Sequence, residues 1–401
     1  MKQQKNILLS MSNSKVDFSN TKVAFHLKKD AELERAYFLF KMISNEPLVR
    51  IGTAATNFAF KTHLPVEGLI RATVFDHFCG GVNAEDCMTK IDQMYNSGVY
   101  SVLDYSVEGK QEEEQFERIL NQMCTLVDFA DEKEAMPFAV FKPTAVGRFE
   151  IYKKISNAIA LTPEEQQEWE RIRERFHKIC SYGKEKNIAI LVDAEESWMQ
   201  SAADDLLLEL MRTYNKDKVV VYNTLQAYRW DRLEYLKQIH LKAKKESFKL
   251  GFKLVRGAYM EKERARAKRL DYTSPICISK SATDLQFNDC LKYMLDNIET
   301  ISVFLGTHNE QSTQLALNHM SNYKIKVNDN RVWFGQLFGM SDHISFNLAK
   351  NGYNVAKYMP FGPVRDVMPY LIRRAEENTS VAGQTNRELS LIREERKRRK
   401  L

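Results

Sequence analysis

The sequence predicts a (β/α)8 barrel preceded by a helical arm. Eight short β-rich runs recur from about residue 99 onward, at 100–106, 137–143, 188–195, 219–226, 251–259, 301–309, 332–339 and 354–362. Amphipathic segments lie between them, and the clearest begins with the capping box Thr162-Pro163-Glu164-Glu165. Continuously apolar runs that alternate with helices are typical of a parallel sheet covered on both faces. A doubly wound open sheet is the competing architecture, but the strand count and the lack of G-x-G-x-x-G after the first strand disfavour it.

Three segments are predicted, namely an N-terminal helical arm (1–98), the barrel (99–380) and a basic C-terminal tail (381–401). In the arm, residues 31–67 show apolar side chains at helical spacing. The tail carries the run REERKRRK at 393–400, which we expect to be a solvated end. Binding of nucleic acid or of an anionic membrane surface is the weaker interpretation of that run.

The composition is that of a soluble globular protein. The 401 residues are 44% hydrophobic and 28% charged, with a formal net charge of +6. The six cysteines form no C-x-x-C pair, which argues against a zinc site or a disulfide framework and fits a reducing compartment. We expect no metal site, since His308 has no second histidine or acid at metal-ligand spacing, and no partner nucleic acid. We expect a cytoplasmic location, because no apolar run reaches the length of a membrane span.

A helix is predicted over 366–378, with Asp366 as the N-cap and Pro369 in the first turn. Its two faces differ sharply. One stripe is apolar and the other polar, with Met368, Leu371, Ile372 and Ala375 on the first and Tyr370, Arg373, Arg374 and Glu377 on the second. Two adjacent guanidinium groups suit bidentate binding of a carboxylate or phosphate, although a salt-bridged exposed face is the alternative.

Polar side chains follow nearly every predicted strand, where the active sites of such barrels are found. In strand order these are Asp104 with Glu108, Lys142, Asp193 with Glu195 and Glu196, Gln226, Lys253 with Arg256, Thr307 with His308, Gln336, and Tyr358. Individually they have simpler explanations: Asp193 could cap a helix, Lys142 could be solvated and Gly257 could serve a tight turn. The cations near strand five suit an anionic ligand, either a phosphorylated cofactor, a carboxylate substrate, or both.

Seven runs, in their order and spacing, resemble the proline dehydrogenase family: LVDAEES, TLQAY, KLVRGAYMEKERARA, GTHN, LFGM, YMPFG and YLIRRAEEN. The segments HFCGG and LDYSVEG also resemble that family's approach to the first strand. The resemblance covers roughly residues 99–380. It implies FAD-dependent oxidation of L-proline to Δ1-pyrroline-5-carboxylate on a distorted (β/α)8 barrel. FAD would lie over the carboxyl ends of the strands, and the last helix would cover the substrate.

The resemblance also implies a set of substrate-binding residues. Arg373 and Arg374 would bind the proline carboxylate with help from Lys142. Glu108 would pair with Arg373 and close the site over the substrate. Leu337 and Tyr358 would pack on the pyrrolidine ring. Tyr358 further implies a preference for proline, since relatives that prefer hydroxyproline carry a smaller residue there.

For the cofactor, the resemblance places Gln226 at the pyrimidine edge of the flavin. Lys253 occupies a position near the flavin N5 at which many bacterial members have arginine, and in having lysine there this chain resembles the animal enzymes. Other predicted cofactor residues are Arg256, Gly257, Ala258, Tyr259, Thr283, Thr307 and His308, together with Glu377, which would keep the arginine pair charged and oriented. Asp193 would organise charge near the flavin and Lys142, and with Lys253 it forms the predicted catalytic pair.

In the family the electrons pass to a membrane quinone, so the predicted partners are L-proline and a quinone or other acceptor. Peripheral contact with the inner membrane follows as an option, and the basic tail could assist it. The resemblance implies a monofunctional enzyme. Three alternatives remain open: a hydroxyproline dehydrogenase, a lysine aldolase that uses Lys142 or Lys357 as the Schiff-base former, and a non-catalytic ligand-binding barrel.

Overall fold

The structure, a computed structural model, describes residues 16–62, 64, 66–105, 112–380 and 382–401; at residues 46, 57–61, 69, 373–380 and 382–384 it describes the backbone alone. The strands are β1 (Val99–Tyr105), β2 (Phe138–Phe141), β3 (Ala189–Val192), β4 (Val221–Gln226), β5 (Leu250–Val255), β6 (Ile301–Gly306), β7 (Val332–Leu337) and β8 (Val355–Phe361). Within these ranges no helix is both long enough and apolar enough to cross a membrane.

In the described part of the chain, six helices precede β1: α1 (Thr21–Ala24), α2 (Asp30–Ile43), α3 (Glu46–Lys61), α4 (Glu67–Ile70), α5 (Asp76–Phe78) and α6 (Ala84–Tyr95). The helices between strands are α7 (Glu113–Asp131), α8 (Phe149–Ser156), α9 (Pro163–Glu185), α10 (Ser197–Tyr214), α11 (Arg232–Glu246), α12 (Met260–Leu270), α13 (Lys280–Asp296), α14 (Glu310–Asn322) and α15 (Asp342–Lys350). The last two are α16 (Val364–Ser380) and α17 (Ala382–Arg399). A π-helical turn (Arg71–Phe75) joins α4 to α5, and a 3-10 turn (Pro143–Ala145) follows β2.

The eight strands form a closed parallel barrel in sequence order, which confirms the predicted fold. The barrel closes where β1 pairs with β8 over seven residue pairs, from Val99 with Val355 to Tyr105 with Phe361. The helix α9 begins at the predicted capping box, because the Thr162 side chain accepts from the Glu165 N–H and the Glu165 side chain accepts from the Thr162 N–H. Each apolar run became a strand because parallel barrel strands are buried on both faces.

The strand residues alternate between two apolar clusters. The inner cluster fills the barrel with Val102, Phe138, Val140, Leu191, Tyr222, Phe304, Trp333, Ala356 and Tyr358. Residues of the opposite parity pack against the surrounding helices in a larger outer cluster. This alternation decides which side chains at the strand ends face the barrel axis.

A third apolar cluster joins the arm to the last two helices. It includes Phe25 and Phe40 of the arm, Val367 and Leu371 of α16, and Ile392 of α17. The arm thus has a buried core in common with the segment that carries the predicted arginine pair.

The expectation that the C-terminal basic run is a solvated end is confirmed only in part: residues 393–399 form the last turns of α17, where Arg393, Lys397 and Arg398 are exposed but other side chains pack on the arm. Glu395 is fully buried, and Arg396 pairs with Glu34 of the arm at 2.6 Å. The division of the chain at residues 98 and 380 stays a prediction. Membrane contact by the run is better tested by neutralising exposed side chains such as Arg393 and Lys397 than by deletion, because deletion would remove buried contacts.

The helix predicted over 366–378 begins two residues earlier, at Val364. Asp366 is therefore inside the first turn, where its N–H donates to the Pro363 carbonyl oxygen at 2.9 Å, and Pro369 lies inside the helix. Both expectations for these residues are wrong. The apolar stripe is confirmed where side chains are described, but Tyr370, expected on the polar face, is buried in the third cluster.

We expect Arg399→Ala to lower the free energy of unfolding by about 1–3 kcal/mol, because buried acceptors would lose their donors. The Arg399 guanidinium donates to the carbonyl oxygens of Phe25 and Lys28, each at 2.8 Å. Urea unfolding measures the change. The matched control is Arg398→Ala, whose exposed side chain pairs with Glu395 on the same helix and should contribute less than about 1 kcal/mol. Equal losses in the two variants would contradict this account of the docked helix.

Candidate active site

The predicted site residues at the strand ends share one parity. Alternate residues of a strand point to the same face, so the residues an even number of positions from the inner cluster also face the barrel axis. At the strand ends these are Asp104, Lys142, Asp193, Gln226, Leu337 and Tyr358. Leu337 and Tyr358 are also register partners across β7 and β8. The barrel therefore directs these side chains to the mouth formed by the carboxyl ends of the strands.

Residues of β5 and β8 and the residue that follows β3 form one polar cluster, namely Lys253, Tyr358 and Asp193. The Lys253 ammonium bonds to the Asp193 carboxylate and donates to the Tyr358 hydroxyl oxygen at 2.9 Å. The Tyr358 hydroxyl donates to Asp193 Oδ1 at 3.0 Å, and the lysine nitrogen lies 4.6 Å from the centre of the tyrosine ring. Asp193 thus serves this cluster rather than capping α10, whose N-cap is Glu196.

The environment keeps the Tyr358 hydroxyl protonated. Burial raises the pKa of Tyr358 well above its ordinary value, and the carboxylates of Asp193 and Asp104 raise it further. The hydroxyl is therefore a permanent donor to Asp193 near neutral pH. Lys253 itself is nearly buried, with 8% of its side chain exposed, so its charge is partly shielded from water.

Gln226 is buried at the end of β4, and its amide donates to the Glu195 carbonyl oxygen at 3.1 Å. Glu195 is a residue whose importance the sequence did not reveal. Burial raises the pKa of its carboxyl to about 7, and the nearby Lys142 ammonium opposes that shift. Neither composition nor spacing distinguishes Glu195 from its neighbour Glu196, since the distinction depends on burial.

Arg256 connects three elements beside the mouth. Its guanidinium donates to Asp284 of α13 at 2.8 Å, to the Thr307 hydroxyl at 2.9 Å and to Ser312 of α14 at 3.0 Å. Burial lowers the pKa of Arg256 despite the Asp284 carboxylate. These contacts show a bracing role, and a direct cofactor contact by Arg256 stays a prediction.

Other predicted cofactor residues lie close in sequence to Arg256 and its partners. His308 Nδ1 is 2.9 Å from the Ser341 hydroxyl, and Thr283 is buried in the first turn of α13. Ala258 is exposed and Tyr259 half-buried at the start of α12. Next to this edge, an open cleft of about 640 Å³ is lined by Trp230, Arg264, Thr273, Ser274, Ile276, Cys277, Ile278 and Ala282.

Gly257 is the one predicted cofactor residue whose identity the backbone dictates. Its φ is +129°, a conformation that favours glycine, and a Cβ there would come within 2.6 Å of the Tyr228 ring. Without a side chain, the backbone after β5 runs directly past that ring. The packing of the Tyr228 ring against the main chain therefore explains the glycine, and a cofactor contact at Gly257 stays a prediction.

The arm reaches the mouth between the ends of β7 and β8. His77 Nε2 lies 3.0 Å from the Gly339 carbonyl oxygen, and the Gly80 N–H donates to the Pro360 carbonyl oxygen at 2.8 Å. Gly339 has a φ of +78°, and a Cβ at this position would lie 2.2 Å from the His77 carbonyl oxygen. The HFCGG segment is thus packed on the rim of the barrel mouth.

Lys357 faces away from the barrel axis, so the aldolase alternative based on it is wrong. Its side chain is 1% exposed and pairs with Asp342 at 2.8 Å. The ammonium also donates to the carbonyl oxygens of Met340 and Leu337. A lysine with its donors committed to buried acceptors is a structural cation, because a Schiff-base former must reach the substrate.

Four predicted residues are only partly accounted for. Glu108 lies outside the described residues, while Arg373, Arg374 and Glu377 lie in α16 with side chains outside the described part of the structure. Their roles stay predictions. Among the side chains that the structure describes, no group of three His, Cys, Asp or Glu residues is placed to hold a metal ion.

Comparison with known proteins identifies the family. The family profile described as Proline dehydrogenase matches residues 87–387, more than half of the chain. "Carbapenem antibiotics biosynthesis protein CarD" of Pectobacterium carotovorum subsp. carotovorum is 34% identical over 333 residues, which cover 83% of this chain and 86% of that protein. "Proline dehydrogenase 1, mitochondrial" of Arabidopsis thaliana is 31% identical over 435 aligned positions, covering 97% of this chain and 87% of that one.

The solved structures support the fold. Proline utilization A from Bdellovibrio bacteriovorus, crystallised after inactivation by N-propargylglycine, superposes with a TM-score of 0.68 at 21% identity. The match covers 92% of this chain, which spans only 38% of that longer one. The matched profile and the 31% identical plant relative show that the chain belongs to the proline dehydrogenase family.

Proposed function

We propose that the protein oxidises L-proline to Δ1-pyrroline-5-carboxylate with FAD as cofactor and passes the electrons to a quinone-type acceptor. Membership of the family supports the substrate. The observation that carries the proposal is the cluster of Lys253, Asp193 and Tyr358, assembled from three strands at the mouth of the barrel. We further propose that the enzyme works in the cytoplasm with peripheral contact with the inner membrane.

The residues at the mouth fit FAD. Gln226 is a buried amide at a strand end, and Lys253 is a nearly buried cation. Beside them, the cleft that contains Trp230 and Arg264 offers an apolar wall and a cation, which suit a ring system and a phosphate. When bound, FAD would accept the hydride that leaves the carbon beside the proline nitrogen as the C=N bond forms.

The chain's own residues would orient the substrate and set the charge around it. Arg373, Arg374 and Lys142 would hold the proline carboxylate, since three cations around one anion fix its position. Lys253 would supply positive charge in a site shielded from water, where electrostatic stabilisation is strongest. Asp193 accepts from Lys253 and Tyr358 together, which keeps both side chains in one arrangement.

The size of the Tyr358 side chain would favour proline over hydroxyproline. Its ring belongs to the inner cluster and lies beside Leu337, so the two side chains would form one wall for the pyrrolidine ring. A hydroxyl group on the substrate ring would then meet an apolar surface that is already filled. Hydroxyproline dehydrogenase is therefore the second candidate, and the size of the residue at 358 distinguishes the two.

We expect Tyr358→Ser to lower the preference for L-proline over hydroxyproline about tenfold or more in kcat/KM, because the space left by the ring can take the hydroxyl. Steady-state kinetics with a soluble quinone analogue measure both substrates. Tyr358→Phe is the matched control, since it keeps the ring and removes only the hydroxyl that contacts Lys253 and Asp193. A wild-type enzyme that turns over hydroxyproline but not L-proline would overturn the assignment of the substrate.

We expect Gly257→Ala to weaken FAD binding about tenfold, because the main chain after β5 must shift to relieve strain of about 1–3 kcal/mol and would then lose contacts with the cofactor. The cause is the added Cβ, which meets the Tyr228 ring. Fluorescence titration of the apoprotein with FAD measures the change. Gly52→Ala is the control, since nothing lies within 4 Å of a Cβ at that position. Unaltered FAD affinity in Gly257→Ala would place the cofactor away from the end of β5.

A further inference from the structure

Glu195 is a buried carboxylate to which the proposed reaction assigns no role. Both of its oxygens bind one residue on the neighbouring loop. The Thr144 hydroxyl donates to Oε1 at 2.7 Å, and the Thr144 N–H donates to Oε2 at 3.0 Å. Two hydrogen bonds to a buried carboxylate are strong and directional, so Thr144 has a single position relative to β3.

The turn that Glu195 binds in this way begins with Lys142. The Ala145 N–H donates to the Lys142 carbonyl oxygen at 3.0 Å, which closes a tight turn over residues 142–145. The Tyr152 hydroxyl donates to the Pro143 carbonyl oxygen at 2.9 Å from the other side. Since the backbone of Lys142 belongs to this turn, the carboxylate of Glu195 fixes the point from which the lysine side chain extends.

The main chain of Glu195 holds a second site residue. Its carbonyl oxygen accepts from the Gln226 amide at 3.1 Å, and its N–H donates to Gln200 Oε1 at 2.8 Å. Gln200 in turn donates to Asp204 at 2.9 Å within α10. The peptide of Glu195 is thus anchored to a helix, and the anchored carbonyl group orients the Gln226 amide.

We propose that Glu195 is a positioning residue that holds the substrate-binding lysine and the cofactor-binding glutamine in one fixed relation. Its side chain fixes the position of the turn that starts at Lys142, and its main-chain carbonyl group fixes the orientation of the Gln226 amide. The two contacts are separable, because substitutions of the side chain leave the carbonyl group in place. The proposal rests on the proposed function, which places proline's carboxylate near Lys142 and the flavin near Gln226.

The electrostatics of the site agree with this arrangement. Burial raises the pKa of Glu195 to about 7, while the Lys142 ammonium and the Thr144 donors oppose the rise. In its ionised form, Glu195 therefore also attracts the Lys142 ammonium through space. Glu196 has a different task, since its carboxylate pairs with Lys262 on α12.

The test compares Thr144→Val, Thr144→Ser and Glu195→Gln with Glu196→Gln as the matched control. For Thr144→Val and Glu195→Gln we expect KM for L-proline to rise about 5- to 50-fold with a smaller change in kcat, since hydrogen bonds to a carboxylate are worth a factor of this order. The visible spectrum of the bound flavin should stay as in the wild type, because the contact with Gln226 is made by the main chain. Thr144→Ser keeps a hydroxyl and should restore the wild-type KM.

Three outcomes would overturn the proposal. Thr144→Val and Glu195→Gln could keep wild-type KM values, Thr144→Ser could fail to restore KM, or KM and kcat could change together with loss of flavin and of thermal stability. The last result would mean that Glu195 serves folding alone. Failure of the proposed function is a separate result, since it would be seen in the wild-type protein as a missing flavin or no reaction with L-proline.

Discussion

Replacing Lys253 by methionine is expected to slow the reduction of bound flavin by L-proline about 100- to 1000-fold, the usual cost of removing one preorganised charged donor. Methionine retains the length of the side chain and loses the ammonium, so the Asp193 carboxylate and the Tyr358 hydroxyl lose their common partner. The barrel keeps the lysine nearly buried, which makes its charge more effective than that of an exposed lysine. Anaerobic stopped-flow absorbance measures the rate of flavin bleaching.

The control for this variant lies immediately before the same strand. Lys249 precedes β5 at the opposite end of the barrel, where its ammonium donates to the Asp217 carbonyl oxygen at 2.7 Å. Lys249→Met should leave the rate of reduction within about twofold of the wild type, since surface substitutions away from a site have small effects. A rate for Lys253→Met within tenfold of the wild type would show that the lysine is structural and that catalysis does not depend on its charge.

The second large effect is expected for stability. Asp342→Asn should lower the free energy of unfolding by about 3–5 kcal/mol, because it leaves buried ammonium groups without a counter-charge. Asp342 pairs with Lys357 at 2.8 Å and with Lys28 at 3.1 Å. Although burial alone would raise the pKa of Asp342, these two lysines hold it well below its usual range. Its contribution is therefore complete above the unfolded-state value of 3.8 and is lost only as the pH falls through the lower folded-state pKa.

Urea unfolding at neutral pH tests this expectation. Asp289→Asn is the matched control, since Asp289 pairs with Lys292 at 3.6 Å on an exposed helical face and such pairs contribute about 0–1 kcal/mol. A loss below about 1 kcal/mol for Asp342→Asn would contradict the assignment of Lys357 as a buried structural cation. It would also reopen the possibility that this lysine is free to react.

The strands were predictable because a parallel barrel buries both faces of each strand, which produces continuous apolar runs. The predicted runs extend past the observed ends. The fifth was expected over 251–259, whereas β5 ends at Val255 and the following residues turn around Gly257. The side chains at the ends were also predictable, since alternation from the inner cluster places Asp193, Gln226 and Tyr358 at the mouth.

The C-terminal helix was not predictable from composition. Its basic run has the charge density of a solvated end, and its few apolar residues, such as Leu389 and Ile392, do not suggest burial by themselves. They are buried because the arm supplies a complementary surface from the other end of the chain. Glu195 was noted after the third strand, but its role was not predictable, because only the fold brings Thr144 to its carboxylate.

The measurement that tests the central claim most directly is the visible spectrum of the purified protein, recorded before and after anaerobic addition of L-proline. We predict a flavin spectrum that L-proline bleaches, because the bound cofactor would be reduced as the C=N bond forms. A flavin that stays oxidised in the presence of L-proline would contradict the proposed reaction. A colourless protein that fails to take up added FAD would contradict the cofactor assignment as well.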